Sequence, residues 1–326
     1  MRPHVRLLFT PLKASQPSFD QRFHLTSIPL KLAEASYMSL ESTDVLIQSI
    51  SHHLTHIQVY NYKVKRDFVV DFEIIKDSFF LLAMQDDLSV LYNNADGALS
   101  EILGNSCMLS YLKAGKYKRT MVTGNHQILL LCIEPEWFIS KYGNLEVLRE
   151  LITQYKNNEV NTFRLPSFNI SQQLFTGLKK LNTLSEKRDP EIDLHIYLNQ
   201  SISKYLIKLR QSMVTANYQQ NKAKEIADFV KENYASKLVG DETELANRFM
   251  ISTTMLIRLA KLAFDRPLHQ QVIELRMYHS LRMLLTTQKT IQEISANVGY
   301  DDPKYFSRAF KKKFGLPPNE IRISVI

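Results

Sequence analysis

What most narrows the folds open to this 326-residue chain is a unit that occurs twice near its C-terminus. Asp241-Glu242-Thr243-Glu244 and Thr290-Ile291-Gln292-Glu293 each offer an N-cap oxygen and, three residues on, a Glu that can reach back, which is the sequence form of a capping box. At an offset of 49 residues Leu245 matches Ile294, Ala246 matches Ser295 and Phe249 matches Val298. One residue is gained in the turn, and at an offset of 50 Arg258 matches Arg308, Lys261 matches Lys311, Phe264 matches Phe314 and Pro267 matches Pro317. One capping box arises easily by chance; this string of matches does not. The spacing predicts two helix-turn-helix units, over 241–264 and 290–314.

The second copy carries its own punctuation. A short helix runs from Thr290 to about Asn297, and Gly299 supplies the backbone freedom of a tight turn. Asp302 caps a second helix that opens on Pro303, where no N–H is needed, and stops at Gly315 before Pro317-Pro318. At about 100° per residue, Phe306, Ala309, Phe310 and Phe314 share one side, and Lys304, Ser307, Arg308, Lys311 and Lys312 share the other. Lys313 falls near the apolar side and is expected to snorkel at the helix end. In the first copy Leu256, Leu259, Ala260 and Ala263 face inward, and Thr254, Ile257, Arg258 and Lys261 face out. An outward Ile suits a thymine methyl in a major groove; a partly buried Ile is the competing reading. Between the copies Gln271–Thr286 has the helical spacing of Ile273, Met277, Leu281, Leu284 and Leu285. A rigid helix rising about 1.5 Å per residue suits a spacer between two reading helices set roughly one duplex turn, ~34 Å, apart.

The segment Thr290–Arg322, TIQEISANVGYDDPKYFSRAFKKKFGLPPNEIR, resembles the signature of the AraC family of bacterial transcription regulators. Its Ile-x-Glu-Ile-(Ala/Ser), Val-Gly-(Phe/Tyr), Tyr-Phe-Ser-Arg-x-Phe-Lys and Phe-Gly-x-x-Pro elements stand in order, and the likeness covers roughly the last third of the chain. Leu245-Ala246, Ile251-Ser252, Leu256-x-Arg258 and Arg276 fit the family's first unit. Ala260, Asp265 and Gln271 depart from its usual Phe, Gly and Tyr. The resemblance implies a DNA-binding module at 218–326, preceded by a sensing or dimerising domain that in such proteins is often a small cupin-like β-barrel.

The rest of the chain fits that arrangement. His56–Tyr62, Val64–Ile75, Phe79–Met84, Lys118–Val122 and Gln127–Ile133 read as strands, with turns at Lys76-Asp77-Ser78 and, as a hairpin, at Thr123-Gly124-Asn125. Residues 20–50 favour neither strand nor helix. Helices are expected from Pro135, over Leu145–Tyr155, Leu174–Leu184 and Ile192–Leu209. The last has one apolar stripe, Ile192, Ile196, Leu198, Ile202, Tyr205, Leu206 and Leu209, suited to packing on the first part or on a second copy. Thr215–Gln220 is the expected polar linker. The expected organisation is therefore multidomain: a β-rich sensing or dimerisation domain over 1–160, helices and linker over 161–217, and an all-α domain over 218–326 with two helix-turn-helix units joined by a linker helix.

Charge supports an anionic partner. Residues 218–326 hold 17 Lys+Arg against 12 Asp+Glu, most of the net excess of a chain whose formal charge is +8. Arg308 and Arg258 are expected to meet guanine edges or phosphates, with a salt bridge inside the module as the alternative. Pro303, Lys304 and Ser307 open the second reading helix, where base edges are reached, and Thr253 and Thr254 hold the matching place in the first. Lys311 and Lys312 suit phosphates, and Lys261 shares that cationic row. Tyr305 stacks on a sugar or packs inside, with packing preferred.

The expected partners are double-stranded promoter DNA, a second copy of the chain, RNA polymerase and a small-molecule effector, in the cytoplasm, with no membrane association, catalysis or cofactor. The longest apolar runs, Ile128–Ile133 and Phe79–Met84, are far short of the ~20 residues that span a bilayer. A DNA-tethered enzyme of cupin or alkyl-transfer type needs a His-rich ligand set on strands or an activated thiol. His52, His53 and His56 have no carboxylate near in sequence before Asp67 and read as surface histidines, and Cys107 and Cys132 lack basic neighbours. Trp137 and the aromatics Phe68, Phe72, Phe79 and Phe80 line a ligand pocket or, as preferred, form core. A non-specific architectural DNA binder is the remaining alternative.

Overall fold

The computed structural model describes residues 4–8, 10–85, 89–93, 97–102, 104–157, 162–184 and 189–323, the side chains of 89–93, 97–102, 183, 184 and 323 excepted. The expected boundary at 160/161 lies outside the described residues. The chain divides into two compact units, Met1–Gln211 and Ser212–Ile326.

The first unit contains β1 (Val5–Leu7), β2 (Lys13–Ser15), α1 (Phe19–Arg22), β3 (Glu34–Ser39), β4 (Thr43–Ser51), β5 (Thr55–Val64), β6 (Phe68–Ile74) and β7 (Ser78–Gln85). It continues with β8 (Ser89–Asn93), β9 (Gly97–Ile102), β10 (Cys107–Leu112), β11 (Gly115–Met121) and β12 (Gly124–Ile133). After α2 (Pro135–Tyr142) and α3 (Arg149–Lys156) come β13 (Thr162–Arg164), α4 (Ser171–Leu184) and the start of α5 (Pro190–Glu232). The strands form two antiparallel sheets, a five-stranded one in the order β1-β6-β11-β8-β9 and an eight-stranded one in the order β13-β10-β7-β12-β5-β4-β3-β2. No described strand pairing closes either sheet on itself. The ambiguous 20–50 region supplies the short α1 and the strands β3 and β4.

The two longest apolar runs turn out to be neighbours. β12 pairs with β7 in a register that sets Ile128 opposite Met84 and Ile133 opposite Phe79. Successive side chains on a strand point to opposite faces, and both faces here are covered. Phe80, Leu82, Met84, Ile128, Leu130 and Cys132 pack with Val70, Phe72, Ile74 and Tyr117 of the smaller sheet. Phe79, Leu81, Ala83, Leu129, Leu131 and Ile133 pack with residues of α2 to α5. A strand buried on both sides cannot alternate apolar with polar, so it reads as a continuous apolar run.

One turn departs from expectation. Thr123-Gly124-Asn125 does not close a hairpin, because β11 belongs to the smaller sheet and β12 to the larger. Lys76-Asp77-Ser78 likewise carries the chain from one sheet to the other. Each crossing is held by an Asp carboxylate. Asp67 Oδ1 accepts from the N–H and hydroxyl of Thr123 (2.6 and 2.9 Å), and Asp77 accepts from Ala114 N–H (2.7 Å) and the Tyr111 hydroxyl (2.9 Å).

The expected stripe on α5 divides. Leu198, Ile202, Tyr205, Leu206 and Leu209 are buried in the core beneath the larger sheet, whereas Ile192 and Ile196 face solvent together with Ile207. Thr215–Gln220 is helical, inside the 43-residue α5.

The second unit holds the end of α5, then α6 (Glu242–Arg248), α7 (Thr253–Phe264), α8 (Leu268–Thr286), α9 (Ile291–Asn297), α10 (Pro303–Phe314) and α11 (Pro318–Ile323). It has two small cores. Ala223, Ile226 and Val230 of α5 meet Leu245, Leu256 and Leu259 in one; Ile294, Val298, Phe306 and Phe310 form the other. α8 serves both, giving Leu268 and Val272 to the first and Met277 and Leu284 to the second.

Candidate nucleic-acid interface

The two helix pairs are built alike from the caps upward. Thr290 and Glu293 form the reciprocal box: Glu293 N–H donates to Thr290 Oγ1 (3.2 Å), and Thr290 N–H donates to Glu293 Oε2 (2.7 Å). Those bonds hold the Glu293 carboxyl below its ordinary pKa, the backbone bond from Thr290 first. The Asp241 box closes on one side only. Asp241 Oδ1 accepts from Thr243 and Glu244 N–H (2.8 and 3.0 Å), but the Asp241 N–H is already taken by the Leu238 carbonyl of the preceding turn (3.3 Å). α7 is capped by Ser252 Oγ, which accepts from Met255 N–H (3.2 Å), and α10 by Asp302 Oδ1, which accepts from Lys304 N–H (2.8 Å). Both long helices end on a left-handed residue, Asp265 at φ 55° and Gly315 at φ 83°.

The faces follow the spacing. Phe306 and Phe310 are buried, and Lys304, Arg308, Lys311 and Lys312 are exposed on α10. On α7, Leu256, Leu259 and Ala260 are buried, and Thr254, Ile257, Arg258 and Lys261 are exposed. Thr253, Pro303 and Ser307 are half-buried, and the Ser307 hydroxyl donates to the Pro303 carbonyl (2.8 Å). Ile257 is 50% exposed. Tyr305 is not packed inside. It is 56% exposed, beside Tyr300 and 5.8 Å from the Arg308 guanidinium, because position 305 lies on the flank between the buried Phe306 row and the cationic row.

Electrostatics separate the cations of the outer rows from those used inside the domain. Among the described residues neither Arg258 nor Arg308 pairs with a carboxylate; Arg258 Nη2 contacts Met255 Sδ (2.9 Å), and Arg308 stands over Tyr305. Lys313, by contrast, is committed inward: its ammonium pairs with Glu274 of α8 (2.6 Å) and stands 5.1 Å from the Tyr278 ring. Glu274 also pairs with Arg266, so one α8 carboxylate ties a cation following α7 to a cation of α10.

Arg276 has a structural role that its sequence position alone does not assign. Its guanidinium donates from Nε to the Tyr234 carbonyl (2.8 Å), from Nη1 to that of Gly299 (3.0 Å) and from Nη2 to that of Ser236 (3.1 Å), with Tyr300 beneath it. It therefore fastens the segment after α5 to the turn between α9 and α10. The available signal was an Arg in the middle of an otherwise apolar helix stripe. Gly299 is confined by the same turn: at φ 85°, an added Cβ would sit 2.2 Å from the Ala235 carbonyl oxygen.

Other sequence candidates fall in the first unit. His52 and His56 are buried rather than on the surface. His52 Nε2 lies 3.0 Å and His53 Nδ1 3.4 Å from Glu191 Oε2, a carboxylate far off in sequence. Because His52 Nδ1 accepts from Leu54 N–H (3.1 Å), the proton of the neutral ring belongs on Nε2, facing the carboxylate; that tautomer makes a donor, not a metal ligand. Phe79 and Trp137 belong to the layer under the helices, and Phe72 and Phe80 line the space between the sheets. Cys107 and Cys132 are buried, and burial pushes both thiols up, the direction opposite to an activated nucleophile. No described helix is long and apolar enough to cross a membrane.

Comparison with known proteins adds a family. Residues 245–323 match the family described as "Helix-turn-helix domain". The chain is 32% identical over 95 residues to the lactose operon transcription activator of Staphylococcus xylosus, covering 29% of this chain and 33% of that protein. It is 28% identical over 104 residues to the transcriptional activator RhaS of Mannheimia succiniciproducens, covering 32% and 38%. The C-terminal domain of the two-component response regulator yesN from Fusobacterium nucleatum is similar at 27% identity over 31% of this chain and 98% of that one, with a TM-score of 0.30. The chain thus spans about a third of the length of these curated relatives. Residues 245–323 are a helix-turn-helix domain, similar to the matching parts of these transcription activators.

Proposed function

We propose that this chain is a sequence-specific DNA-binding transcription regulator in which α7 and α10 enter two successive major grooves. The observation that carries the reading is the repeated, capped helix pair whose outer rows, Thr254, Ile257, Arg258 and Lys261 on α7 and Lys304, Arg308, Lys311 and Lys312 on α10, are exposed. A guanidinium without a carboxylate partner is available to a guanine edge or a phosphate. Pro303, Ser307 and Thr253 at the helix starts complete the contact set, and Tyr305, exposed, is placed for sugar or phosphate. α8, 19 residues long, spans roughly 29 Å at about 1.5 Å per residue, the scale of one duplex turn. Lys313 and Arg276 are left out of the contact set because their charges are used inside the domain.

The β-rich part over 1–160, with the helices of 161–217, serves as sensing and dimerising domain to the DNA-binding part at 218–326. Its face-to-face sheets enclose apolar space suited to an effector, in the manner of a cupin-like double sheet, and Ile192, Ile196 and Ile207 leave one exposed face of α5 for a second copy. RNA polymerase is the further partner at a promoter.

The test is a mobility-shift and footprinting series on promoter fragments from the source organism. Arg308→Ala is expected to weaken binding to the specific site by ~1–3 kcal/mol and relax preference at one base pair. Lys311→Ala should weaken all sequences alike and lower the salt slope by about 1. Uniform, competitor-sensitive protection without discrete sites, unchanged by either variant, would refute the reading.

A further inference from the structure

Between the two sheets of the first unit lies a cavity of about 40 Å³ whose walls are almost wholly apolar: Tyr60, Phe72, Phe80, Leu82 and Leu130 among them. One wall residue does not fit that description. Along β11 the alternation sends Tyr117, Arg119 and Met121 into the space between the sheets, and Tyr117 and Met121 are buried there. Arg119 therefore brings a full positive charge into the lining. Its Nε is buried and has no hydrogen-bond partner among the described residues, and no described carboxylate pairs with it. What it has is the face of Phe72, 5.8 Å from the guanidinium carbon, and the neighbouring phenols of Tyr60 and Tyr62. The Tyr60 hydroxyl is itself turned to Gln58, donating to Oε1 at 3.0 Å.

A second cation lies within electrostatic reach of Arg119. Arg164 of β13 is pushed down to about 10, by burial first and then by the charge of Arg119. Burial lowers Arg119 as well. A buried ion is tolerated when a counter-ion and hydrogen bonds replace its water, and a cation–π contact replaces only part of that. The planar guanidinium fork matches two oxygens of a carboxylate or a phosphate, and a lining this apolar suits the singly charged carboxylate.

We propose that the space between the two sheets is a binding site for an organic monoanion, its carboxylate on Arg119 and its apolar body among Phe80, Leu82 and Leu130. This deepens the effector reading given above and rests on it only for the consequence of binding. The unfilled space admits about three waters, so a longer body enters by displacing side chains. Met108, on the same wall, is unbranched and readily changes rotamer. Compact acids and long-chain acids share the required chemistry, and chain length separates them.

The full-length protein is titrated calorimetrically with butanoate, octanoate and dodecanoate, and with 1-octanol and octyltrimethylammonium as neutral and cationic controls. One alkanoate is expected to saturate a single site, to bind about 100-fold more tightly than 1-octanol, and to raise Tm. An optimum at butanoate assigns compact acids; an optimum at dodecanoate assigns long-chain acids; either supports the site. Arg119→Met should lower the affinity about 100-fold yet leave the ligand-free protein no less thermostable, since it removes a half-buried charge that no described carboxylate offsets. Arg119→Lys, which keeps the charge without the fork, should lose about tenfold. Absence of saturable binding at every chain length, octanol binding as tightly as octanoate, or undiminished binding by both variants overturns the proposal. DNA affinity measured with and without the bound acid separates the two claims: saturable binding with unchanged DNA affinity keeps the site and removes its effector role, while absent binding leaves the DNA interface as it stands.

Discussion

Two glycines of the second unit share a backbone conformation but not a neighbourhood, and the pair isolates what fixes the turn before α10. Gly299 (φ 85°) and Gly315 (φ 83°) are both left-handed. An Ala Cβ at 315 would meet nothing within 4 Å, whereas at 299 it would lie 2.2 Å from the Ala235 carbonyl oxygen and 2.9 Å from its carbon. Gly315→Ala therefore costs the left-handed penalty alone, about 1 kcal/mol. Gly299→Ala adds a clash against backbone that moves only with the whole turn, of order 2 kcal/mol by analogy with overpacking, for a total of about 3 kcal/mol. Restriction of the unfolded chain offsets both by about 0.5 kcal/mol and cancels in the comparison. For a unit of about 115 residues, 1 kcal/mol corresponds to roughly 4 °C, so the variants should differ by about 8 °C in the transition that melts α9 and α10. Far-UV circular dichroism of the full chain gives the melting curve, and amide exchange over Ile294–Phe310 assigns the transition to this turn. If the two variants melt within about 2 °C of each other, the approach of Ala235 to Gly299 does not constrain the turn, and the placement of α10 argued above loses its support.

Three other perturbations follow from the same geometry. Arg276→Met should destabilise the second unit by about 3 kcal/mol, since three carbonyls lose a charged donor and only partly regain water, and Arg276→Lys should recover about a third of that; guanidinium chloride melts of the full chain check both. Burial and the nearby His4 hold His56 down to about 4, so the unfolded chain takes up a proton there near 6.5 while the fold refuses it. The sign is a loss of stability as pH falls from about 6.5 towards 4, with none above; urea midpoints of wild type and His56→Gln should therefore converge across that window and stay parallel at pH 7 to 8. Ile207→Lys, on the exposed face of α5, should turn a dimer into a monomer in sedimentation velocity without lowering Tm, and an unchanged mass would remove that face as the interface.

How much of this was legible in the sequence depends on the distance over which each feature is decided. α10 was readable nearly residue by residue, because Asp302, Pro303, the Phe306 and Phe310 spacing and Gly315 act within one or two turns of the chain. Asp265 shows the same locality: the helix keeps its left-handed end with an Asp, one of the few side chains that tolerate it. The sheets were readable as strands but not as pairings. Thr123-Gly124-Asn125 has hairpin chemistry, yet whether a tight turn rejoins its own sheet or crosses to the other is settled by which faces find apolar cover, and by the Asp67 carboxylate 56 residues away. The His52–Glu191 contact spans a still longer separation, so scanning for a carboxylate nearby in sequence was bound to miss it. Arg119 is the sharpest case. A slip of one residue along β11 would put Lys118 inside and Arg119 in water, and the two cations by themselves do not choose between these registers. The register is chosen by Tyr117 and Met121, whose burial on either side obliges Arg119 to follow them inward. The half-buried charge is thus the consequence of packing two apolar neighbours, and its presence at that position is intelligible if an anion completes it.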